Sequence, residues 1–200
     1  MKRLVLLTNA VTAMTVASVF LMAGKAVAAP VTYNLDPTHT YPSFEADHFN
    51  GLSKWRGKIE KSSGKVVLDR EAKTGTIDVS MDMSTINFGM KKMNDHATSP
   101  EMFDVEKYPV ATYKGKFSKF DGDRPTEAEG MLTLHGVTKP VNLTINEFKC
   151  IMHPLLKREN CGADVSATFN RADFGVDYGK RMGFKQEVKL AIQVEGIKAD

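Results

Sequence analysis

Catalytic signatures are missing from this chain of 200 residues. It has no Gly-x-Ser-x-Gly elbow, no His-Glu-x-x-His pair and no phosphate-cradling glycine loop, and its 5 histidines are dispersed. The expectation is a protein that is not an enzyme; a hydrolase or isomerase would have to gather those histidines in space. Cysteine is also scarce. Cys150 and Cys161 are too few thiols for a structural zinc site, and no metal centre is expected. Repeats, low-complexity segments and a long amphipathic helix are absent as well, which excludes solenoids and helical bundles.

Net charge of one sign is lacking once the amino terminus is set aside. Lys2 and Arg3 precede an apolar stretch, Leu4 to Leu7 and Ala10 to Ala23, and Ala26-Val27-Ala28 follows as a small-x-small cleavage site. This order is that of a secretory signal peptide over residues 1–28. An uncleaved membrane anchor is the other reading, but Thr8, Asn9, Thr12, Thr15 and Ser18 dilute the apolar run. Of the 27 basic residues only Lys2, Arg3 and Lys25 fall in that segment, so 24 remain against 24 acids. A neutral chain with interspersed signs has no electrostatic footprint for nucleic acid or for an anionic membrane, and no stable membrane anchor is expected. Residues 29–200 are long enough for one domain with a sizeable core. In an oxidising compartment Cys150 and Cys161 are expected to form a disulfide across the base of a loop, stabilising by roughly 2–4 kcal/mol.

What the chain does have is strand patterning. Leu132 and Leu134 share one face, and after a turn at Gly136 so do Val141, Leu143 and Ile145, which describes a half-buried hairpin in which Pro140 sits where the second strand begins. Gly75 to Met83 alternates cleanly, with Ile77, Val79, Met81 and Met83 on one side. Similar runs cover Val31 to Leu35, Tyr41 to Phe49, Trp55 to Lys61, Lys65 to Leu68, Val110 to Phe120, Cys161 to Asn170 and Glu187 to Ile197. Many short antiparallel strands with one apolar face indicate a barrel or a sandwich. Ser84 to Pro109 breaks the pattern. A short helix is expected over Met90 to Ala97, and Ser99-Pro100-Glu101 reads as the start of another turn through Phe103. Arg171 and Asp173 fall on one face at strand spacing and are expected to pair.

Five segments, in order, resemble the YceI-like family. They are Tyr33-Asn34-Leu35-Asp36-Pro37-Thr38-His39-Thr40, the Phe44 to His48 strand, the connection from His96-Ala97-Thr98-Ser99-Pro100-Glu101-Met102-Phe103-Asp104 to Lys107-Tyr108-Pro109, the Leu132 to Val141 hairpin, and Asn170-Arg171-Ala172-Asp173-Phe174-Gly175. The resemblance implies an all-β, eight-stranded antiparallel lipocalin-like barrel with a short helical plug. It also implies a periplasmic binding or carrier protein that holds an isoprenoid lipid, such as a quinone or polyprenyl compound, and needs no obligatory cofactor. One departure is present: Met93-Asn94 stands where members of the family often carry Arg-Asp ahead of the helical His96. A pyrophosphate would favour a cation there, so the change leans toward a neutral head group, although Lys91, Lys92 or Arg171 could substitute.

The candidate ligand-binding residues follow from the inward faces. Phe44, Ile59, Val79, Met81, Met83, Tyr113 and Phe117 are expected along an apolar tail, and His48 and His96 near its head. Met93 and Phe103 from the connection and Phe174 from the last segment complete the set. Methionines gather around the connection, and unbranched thioethers suit a flexible tail. Against this stands a barrel packed solid with side chains, serving as a secreted interaction or inhibitor protein. His39 is expected to stabilise a turn, and His135 and His153 to be exposed. The sequence leaves room for a homodimer.

Overall fold

The computed structural model describes residues 29–200; the expected signal peptide lies outside the described residues. These form strands β1 (Val31–Leu35), β2 (Tyr41–His48), β3 (Ser53–Ile59), β4 (Ser62–Asp69), β5 (Thr74–Asp82), β6 (Ile86–Asn87), β7 (Val110–Asp121), β8 (Arg124–Leu134), β9 (Val137–Pro140), β10 (Leu143–Met152), β11 (Glu159–Asn170) and β12 (Glu187–Lys198), with one α-helix, α1 (Lys91–Thr98).

Antiparallel ladders run β1-β4-β5-β7-β8-β10-β11-β12, and β12 returns to β1, so the sheet closes into an eight-stranded barrel. The remaining strands are continuations across breaks. β12 pairs with β1 through Gly196 to Lys198 and with β2 through Val188 to Gln193, so β1 and β2 act as one bent strand interrupted by the turn at Asp36. β4 on β1 and β3 on β2 repeat the arrangement. Pleat alternation then does most of the sorting, apolar side chains inward and charged ones outward, with Val110, Met131, Ile151 and Met152 left exposed. The buried core divides into a cluster around Ile59, Met83, Tyr113 and Leu134, and another around Tyr33, Leu68 and Cys161.

The hairpin turns on His135 and Gly136, both at positive φ (51° and 74°), the two-residue geometry that matches strand twist. Pro140 ends the short β9 rather than opening the second strand, and Val141 N–H instead donates to Gly130 O at 2.9 Å. β8 reaches back to Arg124, where outward Glu127 and Glu129 alternate with the small Ala128 and Gly130 and leave little apolar signal.

Two local expectations are corrected. The turn from Ser99 forms, with Glu101 N–H donating to Ser99 Oγ at 3.3 Å and Met102 N–H to Ser99 O at 3.0 Å, but it opens no helix, and Ser99, at φ −69° and ψ 165°, is the C-cap of α1. A residue before proline is pushed out of helical geometry, so the proline ends α1 instead of opening another helix. Arg171 and Asp173 lie in a 3-10 turn, Arg171–Phe174, where strand spacing does not apply; Arg171 is buried and Asp173 exposed.

Candidate functional site

The barrel encloses a cavity of about 520 Å³. Protein interiors are otherwise close-packed with few voids larger than a water, so the barrel is not packed solid. The disulfide Cys150–Cys161 joins directly opposed residues of β10 and β11, and Cys161 lies in the cavity floor with Tyr33, Leu68, Phe117 and Phe148. Tyr33 Oη donates to Glu159 Oε2 at 2.9 Å, and Arg70 donates to Glu159 Oε1 at 2.8 Å. Burial, and then the adjacent carboxylate, push the Tyr33 phenol up to about 12, so it stays neutral.

The wall is built by β5, β7, β8, β10, β11 and β12, and contributes Ile77, Val79, Met81, Ala111, Tyr113, Leu132, Leu134, Ala163 and Val165 among others. Tyr113 stands in this wall because Gly130 leaves room for its ring; a Cβ there would fall only 2.4 Å from Tyr113 Cζ. Tyr113 Oη donates to Val141 O at 3.0 Å, and burial raises the phenol to about 12.

At the far end from the floor an aromatic rim forms. Trp55 contacts His48 and Phe88 (ring centroids 5.7 and 6.1 Å apart), and Phe88 in turn contacts Phe44 at 5.2 Å. Phe184 packs on His48 and Phe49 at 5.3 and 4.7 Å, and the Tyr178 ring lies 4.6 Å from that of His96. His48 Nδ1 lies 3.1 Å from Ser53 Oγ, and His96 Nδ1 lies 3.7 Å from Glu101 Oε2. Arg171 holds this rim together, since its guanidinium donates to Val176 O and Tyr178 O, each at 2.7 Å. Burial lowers its pKa, while Asp177 and Asp47 oppose the shift from a distance.

Of the residues expected from sequence, Phe44, His48, Ile59, Val79, Met81, Met83, Met93, His96, Phe103, Tyr113 and Phe117 all line the cavity. Phe174 does not. It is 1% exposed and packs edge-on to Phe169, with its carbonyl accepting from His135 Nδ1 at 3.2 Å, because the 3-10 turn points it into the core beside the barrel wall. That contact also half-buries His135, which was expected to be exposed; His153 is half-buried as well, accepting from Leu155 and Leu156 N–H. His39 lies in the turn at Asp36, away from the cavity, with Nδ1 2.8 Å from Asp36 Oδ2.

Trp55, Phe88, Arg171, Tyr178, Met182 and Phe184 also line the cavity. The alternation of β3 already turned Trp55 inward; the others sit in irregular segments without periodicity. A signal existed only in the glycines: Gly179 and Gly183, at φ 79° and 84°, bracket the 3-10 turn Lys180–Met182 that brings Met182 and Phe184 to the rim.

The YceI-like domain profile matches residues 33–196. A UPF0312 protein of Pseudomonas putida strain W619 is 31% identical over 193 residues, covering 93% of this chain and 95% of its own length. Among solved structures, Burkholderia cenocepacia BcnA superposes with a TM-score of 0.59 at 20% identity, over 78% of this chain and 95% of its own. A polyisoprenoid binding domain from Saccharophagus degradans, implicated in plant cell wall breakdown, gives 0.55 at 14% identity, over 84% and 98%.

Proposed function

The chain belongs to the YceI-like domain family, and from that premise we propose that it is a periplasmic carrier that holds one isoprenoid-type amphiphile inside its barrel. The observation that carries this reading is the cavity of about 520 Å³ walled by aliphatic, aromatic and methionine side chains. Its size falls within the roughly 300–1,000 Å³ range of sites that bury a small organic ligand. Moving an apolar chain out of water gains about 25 cal/mol per Å² buried, so tight binding needs little from the head group. The polyisoprenoid binding domain among the structural neighbours supports the same ligand class, and supports binding rather than catalysis.

In this reading the tail lies along Ile59, Val79, Met81, Met83, Tyr113 and Phe117 toward the disulfide floor, and the head rests at the rim beside His48 and His96. Tyr113 and Arg171 already give hydrogen bonds to backbone carbonyls. The two imidazoles are therefore the readier polar partners, which suits a neutral carbonyl-bearing head such as a quinone.

The test is native mass spectrometry of protein taken from its own compartment, followed by organic extraction, with one amphiphile per chain expected. Trp55, the single tryptophan, lines the cavity and gives a titration signal for quinones, polyprenols and prenyl phosphates offered to the emptied protein. A protein that releases nothing on extraction and binds none of these would defeat the carrier reading.

A further inference from the structure

We propose that the open rim docks on an anionic lipid surface, where the cavity is loaded and emptied; this rests on the carrier reading. Phe49, Leu52 and Met182 are 50%, 77% and 49% exposed. Single exposed apolar side chains are ordinary on protein surfaces, but these are grouped around one opening. Phe49 N-terminally anchors the β2–β3 turn that carries Leu52, the Leu52 N–H donating to Phe49 O, and its ring packs on Phe184 beside Met182. Phe49 and Met182 also line the cavity, so the exposed apolar surface is continuous with the interior.

Cations outnumber acids at the same place, where Asp47 of β2 also lies and accepts from Lys185 N–H at 3.0 Å. Segment 177–185 carries exposed Lys180, Arg181 and Lys185 against the single acid Asp177. Lys180 and Arg181 form no ion pair among the described residues, and Lys185 faces Asp47. Apolar side chains at the tip of a structure with an excess of exposed cations beside them fit the boundary between acyl chains and anionic head groups. An amphiphile passing through that contact never has its tail in water, which removes the largest cost of transfer.

The molecule carries its own comparison. Leu155 and Leu156 on the β10–β11 hairpin are 84% and 45% exposed, but they project beyond the disulfide floor, at the opposite end, and do not line the cavity. Docking through that hairpin would hold the mouth away from the lipid.

Flotation with phosphatidylcholine vesicles, with and without phosphatidylglycerol, tests this. The wild-type protein is expected to float with the anionic vesicles, and high salt should release it. K180Q/R181Q/K185Q should weaken partitioning ~100-fold, and Leu52→Ser about 10-fold. Both variants should still bind a short-chain isoprenoid alcohol in solution, read by Trp55 fluorescence, as should L155S/L156S, which should also float normally. Wild-type protein that binds the alcohol but no vesicles overturns the docking proposal and leaves the carrier reading standing. Equal flotation on neutral and anionic vesicles, or loss of flotation in L155S/L156S alone, likewise overturns it. Failure to bind any amphiphile in solution defeats the carrier reading and takes docking with it.

Discussion

Tyr113 and Arg171 show how a polar side chain can sit in an apolar wall: the Tyr113 hydroxyl and both terminal guanidinium nitrogens of Arg171 donate to backbone carbonyls. The rest of the wall is graded by size, and its small members leave the open volume. Ala163 on β11 is one of them. Ala163→Leu is expected to fill part of the cavity, weakening amphiphile binding at least ~10-fold while leaving thermal stability unchanged or raised by up to about 1 kcal/mol. Trp55 titration and thermal melts check both halves, and a variant that unfolds early without losing affinity would contradict the expectation. Wall positions of this kind were legible in the sequence because a strand repeats every second residue, as Val79, Met81 and Tyr113 illustrate. Phe174 was misplaced because no such period governs a 3-10 turn, and Tyr178 and Phe184 were passed over for the same reason.

Among the elements, the turn that splits β1 from β2 is set by Asp36. Its carboxylate accepts from Thr38 N–H at 2.8 Å and lies 2.8 Å from His39 Nδ1. Partial burial pushes that carboxyl up, but hydrogen bonds from Thr38 and His39 outweigh it and hold the group at about 2. The His39 imidazole is raised by its hydrogen bond to the same carboxylate. A depressed carboxylate contributes stability above its unfolded value of about 3.9 and loses it as pH falls toward its folded value; a raised imidazole contributes below about 6.5 and loses as pH rises through its folded value. The turn therefore contributes fully between about pH 4 and 6.5. Asp36→Asn should lower the melting temperature most inside that window, and a difference independent of pH would show that the pair is not sensed by folding. Across the barrel, the Cys150–Cys161 disulfide closes a loop with a sequence separation of 11. Replacing both by Ala is expected to lower the unfolding free energy by about 3 kcal/mol, measured by denaturant titration. Loop base and disulfide were both legible from cysteine spacing and the oxidising compartment expected from the sequence. The interruptions that divide eight barrel strands into more segments were less so, since Glu60-Lys61 resembles an ordinary hairpin turn rather than a bend between β3 and β4.

For the whole molecule, ligand and fold are linked. A protein whose cavity is filled by an amphiphile at a hundredfold excess over its Kd gains about 2.7 kcal/mol, which for a domain of this size moves the melting temperature by roughly 5–10 °C. Delipidated protein should melt lower by that amount and recover on addition of the extracted lipid; an unchanged melt would separate the bound molecule from the interior. Fold class was the most legible property, because alternation and turn punctuation extend through almost the entire chain. The open volume was not, since inward-facing methionines and aromatics read the same whether they meet each other or a ligand. The closed ring of ladders also has an uneven consequence. Each of the eight barrel strands is hydrogen-bonded to two neighbours, whereas on the rim side β6 meets only β3, through Ile86 and Asn87, and no ladder passes through residues 88–109. In the carrier reading, a tail entering past Met93 and Phe103 would displace side chains and one short helix without unzipping a strand. Loading in that reading is therefore expected to follow rotamer hops and local helix motion, on a clock far faster than unfolding of the barrel.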